Sequence, residues 1–237
     1  QSTNSDKAKG IAYKLPISKD KDYSKFSLRQ LHMLFSDVNR TNAFEILETL
    51  SNEIIIEKMK TGKLDDIGFT LTKINLISPS KAKSIYLSIP NDLIISKIKQ
   101  CYLERIGQNL SVLEKVNRDK TRIILKSIEG DVLKGKILES NLRDFSSSLK
   151  EFVPIDKFIS KRLYQSVTEV EISQKISRAT FTEICNALVK LNKIDTQRTT
   201  KIVQKIEGMY FAEKLSKEAP SFEGIGSSLL NLRNLDY

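Results

Sequence analysis

The sequence predicts an α+β protein that is mostly helical and is divided into two small domains. Apolar residues recur at helical spacing in several segments, as at Leu28, Leu31 and Leu34. Two other segments, 69–77 and 85–89, carry apolar residues at alternate positions, as half-buried strands do. With 237 residues, 40% of them hydrophobic and 29% charged, the chain is long enough for two compact cores.

Composition and pattern divide the chain into four parts. Residues 1–25 are polar and rich in lysine, which predicts a flexible basic arm. Residues 26–142 are the predicted α+β domain, and residues 150–217 a helical domain with winged-helix character. Residues 218–237 contain proline and glycine without periodicity, which predicts a weakly structured tail. No internal repeat is evident at this level.

The first domain is predicted to run as helix, hairpin, helix, hairpin. The four strands are assigned from alternating apolar residues to segments 69–77, 85–89, 121–128 and 132–138. A long amphipathic helix between the hairpins begins at Asn91, because Asn91 or Asp92 can cap its first turn. This helix is expected to continue to Gly107.

At the centre of this domain an apolar strand enters a Pro-Asn pair, and a helix with a Tyr-Leu pair and a further strand follow. The residues are Leu87, Ile89, Pro90, Asn91, Ile94, Ile95, Tyr102, Leu103 and the strand 122–125. Over about residues 42–126 this pattern resembles the N-terminal, KH-like domain of the bacterial replication initiator DnaA. The resemblance implies a docking domain for helicase or regulatory proteins that weakly touches single-stranded DNA. This chain has no tryptophan and no GxxxxGK[ST] loop, so ATP-driven origin melting is not implied.

The formal net charge of +10 favours anionic partners, with nucleic acid first and an anionic membrane surface second. Between Lys81 and Lys126, ten Lys and Arg residues face four acids, and residues 150–217 hold 13 basic and 8 acidic residues. A lysine-rich composition without any binding role is the alternative. Tyr86 and Tyr102 are candidates for base stacking, although Tyr102 is expected in the core.

The second domain contains a second candidate site. A helix over 177–191 places Phe181, Ile184 and Leu188 on one apolar stripe with Cys185. If this helix enters a major groove, its outward side chains reach phosphates and base edges, and a wing over 193–205 follows. The candidate nucleic-acid-binding residues are Arg178, Thr180, Thr182, Asn186, Lys190, Lys193, Arg198, Lys201 and Lys205, with Lys97, Arg105, Arg122 and Lys126 from the first domain. Protein docking and an unrelated helical bundle remain open for this region.

Catalysis is not expected, and neither a cofactor nor a metal is predicted. The chain has one histidine, His32, and no GxSxG, HExxH or CxxC motif. Cys101 and Cys185 lie far apart on apolar stripes, which predicts free thiols in a reducing compartment, cytoplasmic or nucleoid or nuclear. No apolar run has the length of a membrane span.

These observations favour a non-enzymatic nucleic-acid-binding protein in DNA replication, plasmid maintenance or a nucleoprotein assembly. Its expected partner is single- or double-stranded DNA. The 81–126 region is a candidate docking site for a protein partner. One alternative is a protein–protein adaptor that does not bind nucleic acid. A second alternative is a surface-exposed lipoprotein or adhesin, with the polar arm as its tether.

Overall fold

A computed structural model describes residues 22–205 of the protein, and this part of the chain contains helices and no strand. A short 3-10 helix, Tyr23–Lys25, precedes fourteen α-helices. These are α1 (Leu28–Asp37), α2 (Arg40–Thr49), α3 (Asn52–Thr61), α4 (Leu64–Ile77), α5 (Pro79–Ser88), α6 (Asn91–Lys99), α7 (Leu103–Glu114), α8 (Arg118–Ile128), α9 (Asp131–Glu139), α10 (Leu142–Phe152), α11 (Lys157–Ser166), α12 (Glu169–Ser177), α13 (Phe181–Asn192) and α14 (Thr196–Lys205). The expectation of a mostly helical chain is confirmed.

The helices recur in triplets with a period of 39 residues. We call the three helices of each repeat A, B and C. The A helices are α1, α4, α7, α10 and α13, the B helices are α2, α5, α8, α11 and α14, and the C helices are α3, α6, α9 and α12. The B helices begin at Arg40, Pro79, Arg118, Lys157 and Thr196, each 39 residues after the one before. The described residues are therefore a tandem array of three-helix repeats.

Equivalent positions of the repeats hold equivalent core residues. One position of the B helices is buried in every repeat and is occupied by Ile46, Ile85, Ile124, Leu163 and Ile202. One position of the C helices is likewise buried and is occupied by Ile55, Ile94, Leu133 and Ile172. The absence of an internal repeat, expected from the sequence, is wrong. Only the buried positions and a few polar positions recur, and these positions are spread thinly among residues that vary from repeat to repeat.

A lysine near the end of each C helix joins consecutive repeats. Lys97 donates to the carbonyl oxygens of Lys60, at 3.0 Å, and Gly62. Lys136 donates to the carbonyl of Cys101 at 2.5 Å. The same position is held by Lys58, which donates to Ser24, and by Lys175, which donates to Ile137, Leu138 and Ser140. These lysines donate to carbonyl groups at and just beyond helix ends, where the backbone has fewer partners than inside a helix.

The described residues form two compact units, which we call unit 1 and unit 2. Unit 1 comprises residues 22–100 and 112–124, and unit 2 comprises residues 101–111 and 125–205. In unit 1, the A helices α1 and α4 pack along each other, and α4 also packs on α5. In unit 2, the A helices α10 and α13 pack along each other, while α11 covers α10 and α14 covers α13.

The predicted hairpin over 69–77 and 85–89 is wrong, because both segments belong to helices α4 and α5. In α4 the buried residues are Ile67, Leu71 and Ile74, which follow helical spacing. Phe69 and Leu76, which completed the apparent alternation, are 46% and 61% exposed. These two exposed apolar side chains therefore produced the alternating pattern from which a strand was predicted.

The strands predicted over 121–128 and 132–138 lie in α8 and α9, and the predicted wing lies in α14. Ile123 is 53% exposed while Ile124 and Ile128 are buried, which is again helical spacing. A winged-helix domain requires a β-wing after the recognition helix, and the structure has a helix there. The α+β class and the winged-helix assignment are therefore corrected to helical repeats.

The strand-Pro-Asn-helix unit is also different in the structure. Pro90 precedes α6 as its N-cap residue without a side-chain cap, and α6 ends at Lys99 instead of continuing to Gly107. The hairpin that supports the resemblance to the DnaA domain is helical. Most of the predicted arm, residues 1–21, and the predicted tail, 218–237, lie outside the described residues. None of the helices between residues 22 and 205 has the length and apolar character that a membrane crossing requires.

Candidate nucleic-acid interface

The A helices of unit 2 expose a polar and basic face, which we call the A surface. It consists of Arg143, Ser147 and Lys150 on α10, Thr182, Asn186 and Lys190 on α13, and Lys193 at the end of α13. The opposite sides of both helices are apolar, with Phe145, Leu149, Ile184 and Leu188 in the core. Burial of this apolar stripe fixes which side chains each helix presents at the A surface.

The basic side chains of the A surface lie close together. Lys190 is half-buried, and its Nζ donates to Ser147 Oγ at 2.8 Å, so the two helices share one polar face. Burial lowers the pKa of Lys190, and the positive charges of Lys150 and Arg143 lower it further, against an opposing effect of Glu151. The surface therefore concentrates like charges that an anionic ligand would relieve.

A close helix approach brings α7 to α10 within unit 2. A Cβ added to Gly107 would lie 3.0 Å from Ser148 Cα, so glycine permits this contact. On α7, Gln108 is exposed and its side-chain amide donates to Glu104 at 3.1 Å. Burial raises the pKa of Asp144, and the negative charge of Glu104 raises it further. The side of α10 that faces α7 is therefore more acidic than the A surface.

Several basic residues on the B helices of unit 2 have acidic partners. Lys161 lies 3.4 Å from Asp195. Arg162 donates to Glu129 at 2.8 Å, and Lys205 contacts Glu169. These charges are already compensated within the protein, unlike the cluster around Lys190. The A surface is therefore the better place for an external anion.

Four of the residues predicted from the sequence lie on the A surface, namely Thr182, Asn186, Lys190 and Lys193. The structure gives several others a role inside the protein. Thr180 is the N-cap of α13 and forms a capping box with Glu183. Arg198 donates to the carbonyl of Val167, and Lys205 pairs with Glu169. Arg178 and Lys201 are exposed, outside the A surface.

The candidate residues from the first predicted domain are dispersed over helices α6, α7 and α8. Lys97 is one of the lysines that bind carbonyl groups of the preceding repeat. Arg105 is exposed on α7 and donates to Gln108 at 3.4 Å, while Arg122 and Lys126 are exposed on α8. The two tyrosines lie opposite to expectation. Tyr86, a candidate for base stacking, is fully buried, and Tyr102, expected in the core, is 84% exposed.

Sequence reasoning missed Arg143, Ser147 and Lys150, because no helix was predicted over the whole of 142–152. Their signal is the repeat, since Ser147 lies 39 residues before Asn186 and Arg143 lies 39 residues before Thr182. A charged cavity of about 540 Å³ beside this surface includes Arg143 and Arg178. Its lining also contains Glu139, Glu171 and Glu183, so it offers no net preference for an anion.

Metal and thiol chemistry receive no support from the geometry of residues 22–205. No group of three or more His, Cys, Asp and Glu side chains among them could hold a metal ion. Cys185 is buried and Cys101 is partly exposed, and neither forms a disulfide. The comparisons with family models, with curated proteins and with solved structures find no match to this chain.

Proposed function

We propose that the protein binds single-stranded nucleic acid through the A surface and catalyses no reaction on it. The observation that carries this proposal is the cluster of Arg143, Lys150 and Lys190 on two adjacent helices, with hydroxyl and amide groups between them. Lysine and arginine bind phosphates, while serine, threonine and asparagine bind base edges. Helical repeats are a common scaffold for such a surface.

The arrangement of the two helices favours a single strand over a duplex. A recognition helix must protrude in order to enter a major groove about 12 Å wide. Here α13 shares its exposed face with α10, because Lys190 contacts Ser147. Packed helices lie about 8–10 Å apart between axes, so the two together are too wide for the groove. A single strand has no such restriction, since it can lie across both helices.

The test is fluorescence anisotropy with labelled single-stranded RNA, single-stranded DNA and duplex DNA of one sequence, at several salt concentrations. We expect the single strands to bind more tightly than the duplex, with log affinity falling linearly against log salt. The double variant Lys150→Gln/Lys193→Gln should weaken binding and reduce the magnitude of the slope by about 1.4, because each phosphate contact on a single strand contributes about 0.7.

The matched control is Lys157→Gln/Lys201→Gln, which removes two exposed lysines of the B helices and has the same net charge. It should bind like the wild type. Equal losses in both double variants would mean that binding follows net charge and not the A surface. No binding at low salt would refute the proposal and favour the protein–protein adaptor.

A further inference from the structure

One position of the A helix carries a side chain suited to a nucleobase in every repeat, and we call it the readout position. Its occupants are Gln30, Phe69, Gln108, Ser147 and Asn186, each 39 residues after the one before. Four of the five are exposed, and Ser147 is half-buried. The helix places each of them outward, because the residues two positions before and one position after are buried in repeats two to five.

The chemistry at this position differs from that at the other recurring positions. The position near the end of the C helices that binds carbonyl groups holds lysine in all four described repeats, namely Lys58, Lys97, Lys136 and Lys175. The readout position instead changes between amide, hydroxyl and aromatic side chains and is never charged. An exposed position that varies among uncharged base-recognising groups, on a scaffold whose buried positions recur, is suited to reading a different base in each repeat.

Within unit 1, the readout residue Phe69 forms an aromatic platform. Its ring lies 5.4 Å from that of His32, with an interplanar angle of 25°, and remains 46% exposed. A stacked ring with a free face is the arrangement on which an unpaired base stacks. Gln30 occupies the same position of the neighbouring A helix, and α1 and α4 pack along each other.

Within unit 2, the readout residues Ser147 and Asn186 lie among the basic residues of the A surface. Ser147 accepts a hydrogen bond from Lys190, so its hydroxyl hydrogen remains available to a ligand. The amide of Asn186 can donate and accept at once, as bidentate recognition of adenine requires. Arg143 and Lys150 on the same face would hold the phosphates on either side of such bases.

We infer that, within each unit, each repeat reads one nucleotide of a bound single strand through its readout residue. This inference rests on the proposed function: it names Ser147 and Asn186 as the base-reading residues of the A surface and gives the same role to the readout residues of the other repeats. Adjacent packed A helices lie about 8–10 Å apart, which matches one base for each repeat rather than one base for each helical turn.

The experiment is selection of bound sequences from random single-stranded RNA and DNA libraries, using the full chain and the variant Asn186→Ser. This change places at one repeat the residue that the preceding repeat carries. We expect the base preference to change at one nucleotide position only. A wild-type-selected sequence should lose about 5- to 100-fold in affinity for the variant, the range for one bidentate contact.

Two further variants separate readout from structure. Gln197→Ser, on the exposed side of α14, should leave the selected sequences unchanged. Phe69→Leu retains an apolar side chain but removes the stacking ring, and should lower the preference at a second, different nucleotide position. Circular dichroism of each variant should match that of the wild type.

The outcomes distinguish the inference from the proposed function. If the wild type binds with the expected salt dependence but Asn186→Ser selects the same sequences, the inference fails and the proposed function stands. A uniform loss of affinity at all nucleotide positions would also overturn the inference, because it indicates a general contact. If the wild type selects no sequence and binds no strand, both fail.

Discussion

The ammonium group of Lys120 binds the end of the helix that contains Tyr86. Its Nζ donates to the Tyr86 carbonyl oxygen at 2.6 Å and lies 5.1 Å from the centroid of the Tyr86 ring. It also donates to the carbonyls of Leu87 and Ile89. One lysine of repeat three therefore satisfies the last carbonyls of the B helix of repeat two, within unit 1. Lys81 acts similarly on Leu47, and Arg198 on Val167.

Replacing Lys120 by methionine should lower the free energy of unfolding by about 2–3 kcal/mol. The methionine fills most of the space but removes three hydrogen bonds to carbonyl groups, two of them buried, and only the Tyr86 carbonyl keeps a second donor, the Ile89 N–H, among the bonds described. Urea unfolding followed by circular dichroism measures the change. The control is Lys126→Met on the same helix, which is exposed and should shift stability by no more than about 0.5 kcal/mol. Equal effects would show that these carbonyl bonds contribute little.

The stability contributed by Lys120 should depend on pH in a defined direction. Burial lowers the pKa of Lys120 from 10.5 to about 8 in the folded chain. Between these two values the unfolded chain binds more protons, so the free energy of unfolding rises with pH in that window. Urea unfolding at pH 7.5 and 9.5, in wild type and Lys120→Met, should show a larger rise for the wild type. A smaller rise in the wild type would mean that the carbonyl bonds offset the burial and keep the pKa of Lys120 from falling.

Two glycines in similar helical positions should respond oppositely to alanine. Gly107→Ala places a Cβ 3.0 Å from Ser148 Cα, a backbone atom, and should cost about 1–3 kcal/mol. Gly135 lies inside α9 with nothing within 4 Å of an added Cβ. Gly135→Ala should therefore stabilise the protein by about 0.5–1 kcal/mol through helix propensity. Thermal unfolding of both variants tests this, and a neutral Gly107→Ala would show that α7 can move away from α10.

Two buried tyrosines should ionise at a higher pH than tyrosines of the unfolded chain. Burial raises the pKa of Tyr86 and of Tyr164 to about 12, and each hydroxyl pairs with a threonine, Thr121 and Thr199 respectively. Their folded pKa values lie above that of an unfolded tyrosine, so the stability they contribute is lost as pH rises from about 10 towards 12. Ultraviolet titration of Tyr86→Phe/Tyr164→Phe should lack the late phase. Tyr102→Phe, at an exposed position, should retain it.

Part of this structure follows from local sequence pattern. The helix predicted over 177–191 corresponds to α13, which begins four residues later at Phe181, and its predicted apolar stripe of Phe181, Ile184 and Leu188 is buried. The same pattern placed Thr182, Asn186 and Lys190 outside, where the structure has them. Such predictions succeed where a helix is amphipathic along its whole length, because every turn then has its apolar and polar residues on the same sides.

The predicted strands show where local pattern is insufficient. Helices of 9 to 14 residues supply only two to four turns, and a single exposed Phe69, Leu87 or Ile123 turns a helical pattern into apparent alternation. Isoleucine is abundant in these helices and also favours strands in isolation. The period of 39 residues would have resolved the ambiguity, since Ile46, Ile85, Ile124 and Ile202 share one position.

The sequence by itself determined the helical character of the chain, its basic charge and the outward residues of α13, because these properties depend on neighbours within a few turns. Only the tertiary structure decided which lysines are available to a ligand. Lys97 and Lys120 bind carbonyl groups of residues more than 30 positions away in the sequence, whereas Lys150 and Lys193 remain exposed. A cation's role depends on which unsatisfied groups the packing brings to it, and packing joins residues that the sequence keeps a whole repeat apart.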